Sequence, residues 1–274
     1  MKYFWNRTAV VLLFALACGV MSGCTQTRDG VAVSAIRVGK ADAILLKTER
    51  SAVLIDTGSY AQRETVAQFL EDAGITRLDA LIITHFDRDH VGGAQYLIRR
   101  FEIGAVYQPD TAEDSDEYEA YVSALSAADI LPVTLSEDTV FSIDGVDYTV
   151  LTAHGETYEK ESNDRSLVVR AVCAGRKLLF CGDIEGQRIR ELLESGYDLS
   201  CDLIKLPHHG RYDESLPALI AACAPEAALI CTSEERPPDE QTLGVLSDAG
   251  CRVYTTVEDH VHLICTESGV RAVE

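Results

Sequence analysis

The feature that most constrains this chain is a buried strand that leads directly into a cluster of ionisable side chains. The apolar run at 78–84 predicts a β-strand, and it is followed by His85-Phe86-Asp87-Arg88-Asp89-His90. A polar loop that caps a helix would explain one aspartate, but not two histidines and two aspartates together. Imidazole and carboxylate ligands without thiolates suit zinc, manganese or iron. The segment therefore predicts a metal site.

The order of these side chains indicates how two ions would share them. In an extended loop, alternate side chains point the same way, so we expect His85 and Asp87 to meet at one ion. The turn into a helix predicted at 93–100 would direct Asp89 and His90 toward a second ion. The glycines at 92 and 93 let the backbone pass close to such a site.

From residue 31 onward, strand-like and helix-like hydrophobic periods alternate along the chain. Strands are predicted at 31–46 (one or two), 51–56, 78–84, 106–107, 140–151 (two), 166–173, 177–181, 202–206, 227–232, 252–256 and 260–265, and helices at 64–73, 93–100, 113–128, 185–195, 214–222 and 238–249. Strands alternating with helices indicate an α/β layered domain. Two sheets, each covered by helices, would form a four-layer αββα sandwich, although periodicity alone does not separate this from a doubly wound sheet.

The first 23 residues are predicted to be a secretory signal rather than part of this domain. Lys2 and Arg7 give a basic start, the run at 8–20 carries no charge, and small residues precede Cys24. The uncharged run is shorter than the roughly 20 residues that a membrane span needs.

A signal that ends in small residues before a cysteine resembles the lipobox of bacterial lipoproteins. The resemblance implies that Cys24 is lipidated, that 24–30 is a short linker, and that the protein is anchored to the outer face of the bacterial cytoplasmic membrane. Plain secretion, an uncleaved anchor and cleavage before Cys18 are the alternatives.

Charge and cysteine content limit the classes of partner. The chain has 24 basic and 44 acidic residues and a net charge of −20. Because nucleic-acid affinity depends mainly on lysine and arginine, we expect no stable nucleic-acid complex. Seven cysteines follow Cys24, none of them in a CxxC pattern: Cys173, Cys181, Cys201, Cys223, Cys231, Cys251 and Cys265. Most lie in apolar runs, which favours buried thiols, with one or two disulfides as the alternative in an oxidising compartment.

The segment at 84–93 resembles the HxHxDH signature of the metallo-β-lactamase superfamily, with Asp87 in place of the middle histidine. This variant is similar to the C-terminal hydrolase domain of the ComEC family of competence proteins. Five further segments agree in order, at 37–43, 54–58, 163–168, 181–183 and 205–210. The likeness covers about residues 31–270, and it implies a metallo-β-lactamase fold, the four-layer αββα sandwich, over 31–274.

The resemblance also implies two divalent metal ions, zinc or manganese. It assigns six ligands: His85 and Asp87 to the first ion, Asp89, His90 and His208 to the second, and Asp183 to both. Asp89 or Asp183 would orient the attacking water or receive its proton. His208 is preferred to His209 as the ligand.

Four more residues are expected around the metals. His209 would orient a ligand or touch the substrate, and Asp56 would support the site from behind. Lys205 would meet substrate anions near the pocket, with an exposed lysine as the alternative. Asn163 belongs to a motif near the middle of the chain and would lie in the same surroundings.

Some positions depart from the superfamily pattern. No histidine stands at 162–166, where the superfamily usually supplies a ligand to the first metal, and this weakens the first site. Arg211 follows the His-His-Gly sequence, and 235–238 replaces a later histidine-proline element. His154 lies off the motif, and the pair at 260–262 lacks an acidic partner, so neither is preferred as a ligand.

These features predict an exported, metal-dependent hydrolase that cleaves phosphodiester bonds with a metal-activated water. Its substrate would be a small-molecule, nucleotide or DNA phosphoester, and Cys24 would attach it to the membrane. The alternatives are another hydrolase of this fold, acting on an ester, thioester or lactam, and a surface-anchored binding protein without turnover. The sequence leaves the oligomeric state open.

Overall fold

The computed structural model describes residues 30–273. The predicted signal at 1–23, the lipidated Cys24, the alternative cleavage before Cys18 and nearly all of the linker lie outside these residues. Within the described part of the chain, no helix is long and apolar enough to cross a membrane.

The described residues form seventeen strands and eight α-helices. The strands are β1 (Val31–Ala35), β2 (Ile44–Lys47), β3 (Ala52–Ile55), β4 (Arg77–Leu78), β5 (Ala80–Ile82), β6 (Glu102–Ile103), β7 (Val106–Pro109), β8 (Val133–Leu135), β9 (Thr139–Ile143), β10 (Val146–Leu151), β11 (Val168–Cys173), β12 (Arg176–Phe180), β13 (Leu203–Lys205), β14 (Ala227–Ile230), β15 (Arg252–Thr255), β16 (Val261–Thr266) and β17 (Gly269–Ala272). The helices are α1 (Arg63–Asp72), α2 (Arg88–Val91), α3 (Ala94–Arg100), α4 (Asp116–Ala127), α5 (Glu161–Asp164), α6 (Gly186–Glu194), α7 (Leu216–Cys223) and α8 (Glu240–Asp248).

Two mixed sheets contain most of these strands. The first has the order β17-β16-β1-β2-β3-β5-β7-β8, and the second has the order β15-β14-β13-β12-β11-β10-β9. Each sheet changes from antiparallel to parallel pairing, after β3 in the first and after β12 in the second. Parallel neighbours require a crossover connection, usually a helix. Here α1, α3 and α4 make the crossovers of the first sheet, and α6, α7 and α8 those of the second.

Alternate residues of the central strands pack on opposite faces of their sheet. In β5, Ile82 packs in the core between the two sheets, whereas Leu81 packs against the helices of the first sheet. In β12, Phe180 packs in the same inter-sheet core, and Leu179 packs against the helices of the second sheet. Strands buried on both faces are therefore apolar throughout. The three apolar layers confirm the four-layer αββα sandwich.

The sequence pattern does not predict the shortest elements. The three-residue strand β8 and the two-residue strands β4 and β6 are too short to show a period, and pairing with neighbours creates them. The strand predicted at 78–84 is divided at Asp79, with β4 before it and β5 after it, and β5 ends at Ile82. The seven cysteines after Cys24 are buried, as the pattern of apolar runs indicates.

The loops that follow β3, β5, β12 and β13 meet at one edge of the sandwich. The amide of Leu167 donates to the carbonyl of Thr84 at 2.9 Å, and the amide of His208 donates to that of Gly182 at 3.2 Å. In open α/β sheets, ligands bind beyond the carboxyl ends of the strands. This edge is therefore the place to look for a site.

The inter-sheet core predicts a large difference between two identical substitutions. Leu178 is fully buried between the sheets, whereas Leu131 is 90% exposed. We expect Leu178→Ala to lower the free energy of unfolding by about 2–5 kcal/mol through lost burial and a cavity. Leu131→Ala should change it by less than about 0.5 kcal/mol. Urea denaturation of both variants measures the difference, and equal midpoints would contradict this assignment of the core.

Candidate metal centre

Histidine and aspartate side chains from both sheets converge at this edge. Within residues 30–273, four sets of three such side chains have ligand atoms within 4.8 Å of one another: His85, His90 and Asp183; Asp89, His90 and His209; Asp42, Asp183 and His209; and Asp42, Asp56 and His90. The first sheet supplies the residues up to His90, and the second supplies Asp183 and His209. The site is complete only where the two sheets meet.

Each of the three central imidazoles is oriented in the same way. His90 donates from Nδ1 to Asp56 Oδ2 at 2.8 Å, and His209 donates from Nδ1 to the carbonyl of Cys231 at 2.9 Å. The hydroxyl of Thr84 donates to Asp56 at 2.7 Å, so it accepts from His85 Nδ1 at 3.1 Å. With Nδ1 fixed as a donor, Nε2 of each ring is the atom turned toward the cluster, which is how ligating histidines are usually held.

Asp56 is placed for this role by its backbone. It lies at φ 57°, a left-handed conformation that aspartate tolerates better than most residues. Its side chain is fully buried and accepts from the amide of Thr84 at 2.8 Å, besides the bonds to the Thr84 hydroxyl and to His90. The structure thus places Asp56 directly behind His90, where it sets the orientation of that ring.

The structure does not bring His208 into the cluster, and His209 takes the position expected for it. Both residues are left-handed, with φ 45° and 54°, so the chain turns sharply after Pro207. This turn directs the His209 ring inward, where Nε2 lies 3.1 Å from Asp183 Oδ2. The His208 ring points to the side, with Nδ1 3.2 Å from Glu185 Oε1. The choice between adjacent histidines depends on backbone angles, which a residue pattern does not show.

Lys205 is buried and not near solvent, contrary to expectation. It is 1% exposed, and its ammonium pairs with Asp42 and donates to the carbonyl of Gly182 at 2.9 Å. It also lies 3.5 Å from Asp183 Oδ1. A buried charge of this kind requires close partners, and here two carboxylates surround it. Lys205 therefore supports the cluster from behind and does not contact substrate.

The cluster carries more negative than positive charge. Burial would raise the pKa of Asp183, yet His209, His90 and Lys205 hold it well below its usual value. Burial lowers the pKa of His209, but Asp183 and Asp42 outweigh this effect and raise it to about 10. The pKa of His90 is raised well above its usual value, because Asp183 and Asp56 likewise outweigh burial. The carboxylates thus retain protons on two imidazoles in the absence of other cations.

His85 behaves in the opposite way. Burial, followed by the positive charge of His90, lowers the pKa of His85 to about 4. His85 is therefore neutral near pH 7, with the Nε2 lone pair directed at the cluster. A neutral imidazole is the form that binds metal.

The donor atoms fit divalent metal ions. Nε2 of His85, His90 and His209 and Oδ1 of Asp42 are buried, and none of them makes a hydrogen bond within the described residues. Buried polar atoms without partners are rare and require an explanation. Cations at this point would satisfy all of them and would replace the protons on His90 and His209. The set contains only nitrogen and oxygen donors, as zinc and manganese accept.

Asp87 and Asn163 lie at the rim of this cluster. Asp87 Oδ2 is 3.8 Å from His85 Nε2, and its other oxygen accepts from the Ser162 hydroxyl. Its side chain is 38% exposed, so it is less enclosed than the other proposed ligands. Asn163 donates to Glu185 Oε1 at 2.6 Å, next to the contact of that carboxylate with His208. The segment at 162–166, near the middle of the chain, therefore contacts the rim of the site but supplies no histidine to it.

Two glycines allow the segment at 84–93, which we call the metal-binding loop, to pack closely against the loop after β3. A Cβ on Gly92 would lie 2.6 Å from the amide nitrogen of Tyr60, and one on Gly93 would lie 2.3 Å from the carbonyl oxygen of Thr57. The same approach lets Thr57 donate from its amide to the carbonyl of His90 at 2.8 Å. The loop after β3 and the helix α2 are thereby held together, which positions Asp56 against His90.

Other histidines lie away from this centre. His154 Nε2 is 3.3 Å from Asp138, and its ring is 53% exposed. His260 and His262 pack against Phe69, with ring centroids 4.9 and 5.7 Å from it. Within residues 30–273, none of these three histidines belongs to the four sets of clustered ligand atoms described above.

Asp42 and Glu185 are site residues that the motifs alone did not single out. Asp42 is 1% exposed and lies 3.4 Å from His209 Nδ1. Its position was detectable, because it interrupts a run of small and apolar residues, and a buried carboxylate requires partners. Glu185 lies two residues after Asp183, and only the turn at 207–210 brings His208 close to it.

The cluster opens to solvent through a cavity of about 400 Å³. Asp89, Asp183 and His208 line it. The Asp89 side chain is 24% exposed, whereas that of Asp183 is 3% exposed. Among the carboxylates in the four sets of clustered ligand atoms, Asp89 is thus the one that a substrate or a water molecule can approach most easily.

The sequence profile described as the Metallo-beta-lactamase superfamily matches residues 36–234. The chain belongs to this superfamily. Membership supports a metal-dependent hydrolase, and it accounts for the position of the cluster at the edge where the two sheets meet.

Two curated relatives are competence proteins, which confirms the resemblance to the ComEC family. The chain is 25% identical over 270 residues to ComE operon protein 3 of Bacillus subtilis (strain 168), covering 91% of this chain and 34% of that protein. It is 30% identical over 200 residues to Competence protein ComA of Neisseria gonorrhoeae, covering 72% of this chain and 26% of that protein. The chain thus spans about a third or less of the length of these relatives.

Solved structures share the fold. Igni18, a metallo hydrolase from Ignicoccus hospitalis, superimposes with a TM-score of 0.57 at 16% identity, covering 89% of this chain and 99% of that one. The metallo-beta-lactamase fold protein YhfI from Bacillus subtilis also has a TM-score of 0.57, at 12% identity, covering 85% and 99%. At these identities the likeness establishes the fold alone.

The orientation of the two adjacent histidines predicts different effects on metal binding. We expect His209→Ala to remove an inward-facing donor and to weaken zinc binding by about a hundredfold or more, since even the partners of ligands contribute about 10–100-fold. His208→Ala should leave the affinity within about threefold, because its ring faces Glu185. Isothermal titration with zinc measures both. A larger loss in the His208 variant would contradict this assignment.

Proposed function

We propose that this protein is a metal-dependent hydrolase that cleaves phosphodiester bonds. The observation that carries the proposal is the convergence of three buried Nε2 atoms that make no hydrogen bond within the described residues and a surplus of carboxylates beside a cavity that opens to solvent. Such a set has no structural purpose without cations. His85, His90, Asp183, Asp89 and His209 would hold two of them.

The metals would supply the electrophilic part of the chemistry. Divalent ions bound at such a site lower the pKa of water toward neutrality and stabilise negative charge that develops on a phosphoryl or carbonyl centre. This role needs no nucleophilic serine or cysteine. The seven cysteines are all buried away from the cavity.

The protein's own residues would orient the ligands and manage protons. Asp56 fixes His90 and Cys231 fixes His209, so the Nε2 atoms are preorganised. Lys205 holds Asp42 and Asp183 in place. Asp89 is the exposed carboxylate of the cluster, and we propose that its Oδ2 orients the attacking water or takes up its proton. Asp183 would share this role from the buried side.

Two features favour a phosphodiester over other substrates. The relatives include Competence protein ComA of Neisseria gonorrhoeae, and the resemblance to the ComEC family favours phosphodiester hydrolysis. The donor set departs from the lactamase pattern, because Asp87 replaces a histidine and no midpoint histidine is present. A phosphoryl group also suits two adjacent divalent ions, since they can neutralise several of its oxygens.

The proposal predicts turnover that depends on Asp89. Protein loaded with manganese or zinc should hydrolyse bis-p-nitrophenyl phosphate, and Asp89→Ala should lower kcat/KM by about a hundredfold or more through loss of a ligand and of a proton acceptor. Asp248→Ala, on the exposed end of α8, is the matched control and should change it less than twofold. No hydrolysis by the wild-type protein, with cleavage of a thioester or lactam instead, would reject the phosphodiester proposal.

We also propose that the protein is exported and anchored to the outer face of the cytoplasmic membrane through Cys24. The support is the sequence alone: a basic start, an uncharged run and small residues before a cysteine. The metal chemistry would then take place outside the cytoplasm.

Lipidation predicts a specific labelling result. In a bacterial host supplied with radiolabelled palmitate, the wild-type chain should incorporate label and sediment with membranes. Cys24→Ser should abolish both, because the acceptor thiol is lost, whereas Cys18→Ser should not. Label retained by the Cys24 variant and lost by the Cys18 variant would assign cleavage to the earlier cysteine.

A further inference from the structure

Few cations face the cavity that leads to the metal centre. Lys40 and Arg88 are the basic side chains that line it, together with the carboxylates of Asp87, Glu113 and Glu117. Lys205, the third cation of the region, is buried behind the cluster. Recognition of a negatively charged substrate therefore depends on Lys40 or Arg88.

Lys40 is held near the cluster by its backbone. It lies in the loop between β1 and β2, where the amide of Ile36 donates to the carbonyl of Ala43 at 2.9 Å. The amide of Asp42 donates to the carbonyl of Asp89 at 3.1 Å, which joins this loop to the metal-binding loop. The position of the Lys40 Cα relative to Asp89 is therefore fixed by the same contacts that build the site.

The side chain of Lys40 is held by a long ion pair that a ligand can replace. Its Nζ lies 3.4 Å from Asp89 Oδ2, and it is 30% exposed. A partly exposed ion pair at this separation stabilises little, and the Asp89 carboxylate has a competing use toward metal. Lysine binds phosphoryl oxygens as a mobile point charge. Arg88 is exposed on α2 and makes no ion pair within the described residues, so nothing holds it over the cluster.

The acidic side of the cavity limits the kind of anion that can enter. Glu113 and Glu117 line the cavity, and the segment from 113 to 119 carries three more acids. Successive phosphates of a polynucleotide would meet these carboxylates, and like charges repel. A small molecule with one anionic phosphoryl group can place that group at the metals and Lys40 and keep its remainder uncharged.

We propose that Lys40 is the substrate-binding residue that recognises the anionic phosphoryl group, and that the acidic side of the cavity restricts the enzyme to small phosphodiesters. The proposal rests on the proposed function, because it assumes that the cluster binds metals and hydrolyses a phosphodiester. It makes Lys40 responsible for affinity and leaves the metals responsible for chemistry.

The first test compares a charged and a neutral substrate. For Lys40→Met we expect the KM for bis-p-nitrophenyl phosphate to rise about tenfold or more, as for loss of a charged hydrogen bond, with kcat within about threefold. For p-nitrophenyl acetate, which is neutral, KM should rise by less than about threefold, so that the ratio of the two KM changes reports the lost charge. Lys40→Arg should restore KM to within about threefold of wild type, since it retains the charge. Lys47→Met is the control. Lys40 precedes β2, whereas Lys47 lies at the other end of that strand, where it pairs with Ala52.

A binding measurement separates this proposal from the proposed function. Inorganic phosphate, titrated calorimetrically into the manganese-loaded protein, should bind about tenfold more weakly to Lys40→Met, with unchanged manganese content. If wild-type protein cleaves no phosphodiester but this difference persists, the proposed function fails and Lys40 stands only as an anion-binding residue. Equal phosphate affinity in the two proteins, or loss of manganese from the variant, would overturn the role of Lys40.

The acidic side is tested by neutralising it. Glu113→Gln/Glu117→Gln should raise cleavage of a single-stranded 20-nucleotide DNA relative to bis-p-nitrophenyl phosphate by about fivefold or more at low salt, where repulsion is least screened. Glu214→Gln/Glu240→Gln makes the same change in net charge away from the cavity and should leave the ratio unchanged. An equal rise in both double variants, or none in the first, would overturn the restriction to small substrates.

Discussion

A surplus of buried carboxylate is the constraint on which the rest of the structure depends. Asp42, Asp56 and Asp183 are all buried, and within residues 30–273 Lys205 is the only buried lysine. Buried charges are tolerated when they are paired or coordinate metals. The pairing of Lys205 with Asp42 and Asp183 satisfies part of the charge, and the remainder requires cations in front of the carboxylates. Cations bound in front of these carboxylates would therefore both form the metal centre and stabilise this edge of the sandwich.

The two sheets of the sandwich make this concentration of charge possible. The loops after β3 and β5 carry Asp56 and His85, and those after β12 and β13 carry Asp183 and His209. Because the apolar layers on both faces of each sheet are formed by other residues of the same strands, the loops are free to be polar. Three of the four sets of clustered ligand atoms found within residues 30–273 combine side chains from both sheets. Packing of one sheet on the other is thus also assembly of the site.

The residues that would hold the metals and the lysine that we propose binds the anion differ in their exposure. The imidazoles and Asp183 are enclosed, whereas Asp89 and Lys40 are partly exposed at the side where a substrate would arrive. An enclosed, preorganised donor set favours metal retention, and an exposed cation beside it favours anion recognition. The domain of the competence proteins resembles this chain over about a third or less of their length. The ligand set described above lies within residues 36–234, which the superfamily profile matches.

Much of this could be predicted from the sequence, because the relevant signals are local. Periodic apolar runs indicated the longer strands and helices, and four ionisable residues after a buried strand indicated a metal site. Tertiary structure decided what depends on backbone angles and on distant contacts. The left-handed turn at His208 and His209 selected the second imidazole, and the packing of two loops against the end of β13 buried Lys205 between Asp42 and Asp183. A residue type shows which chemistry is available, whereas the direction of a side chain depends on the packing of the whole fold.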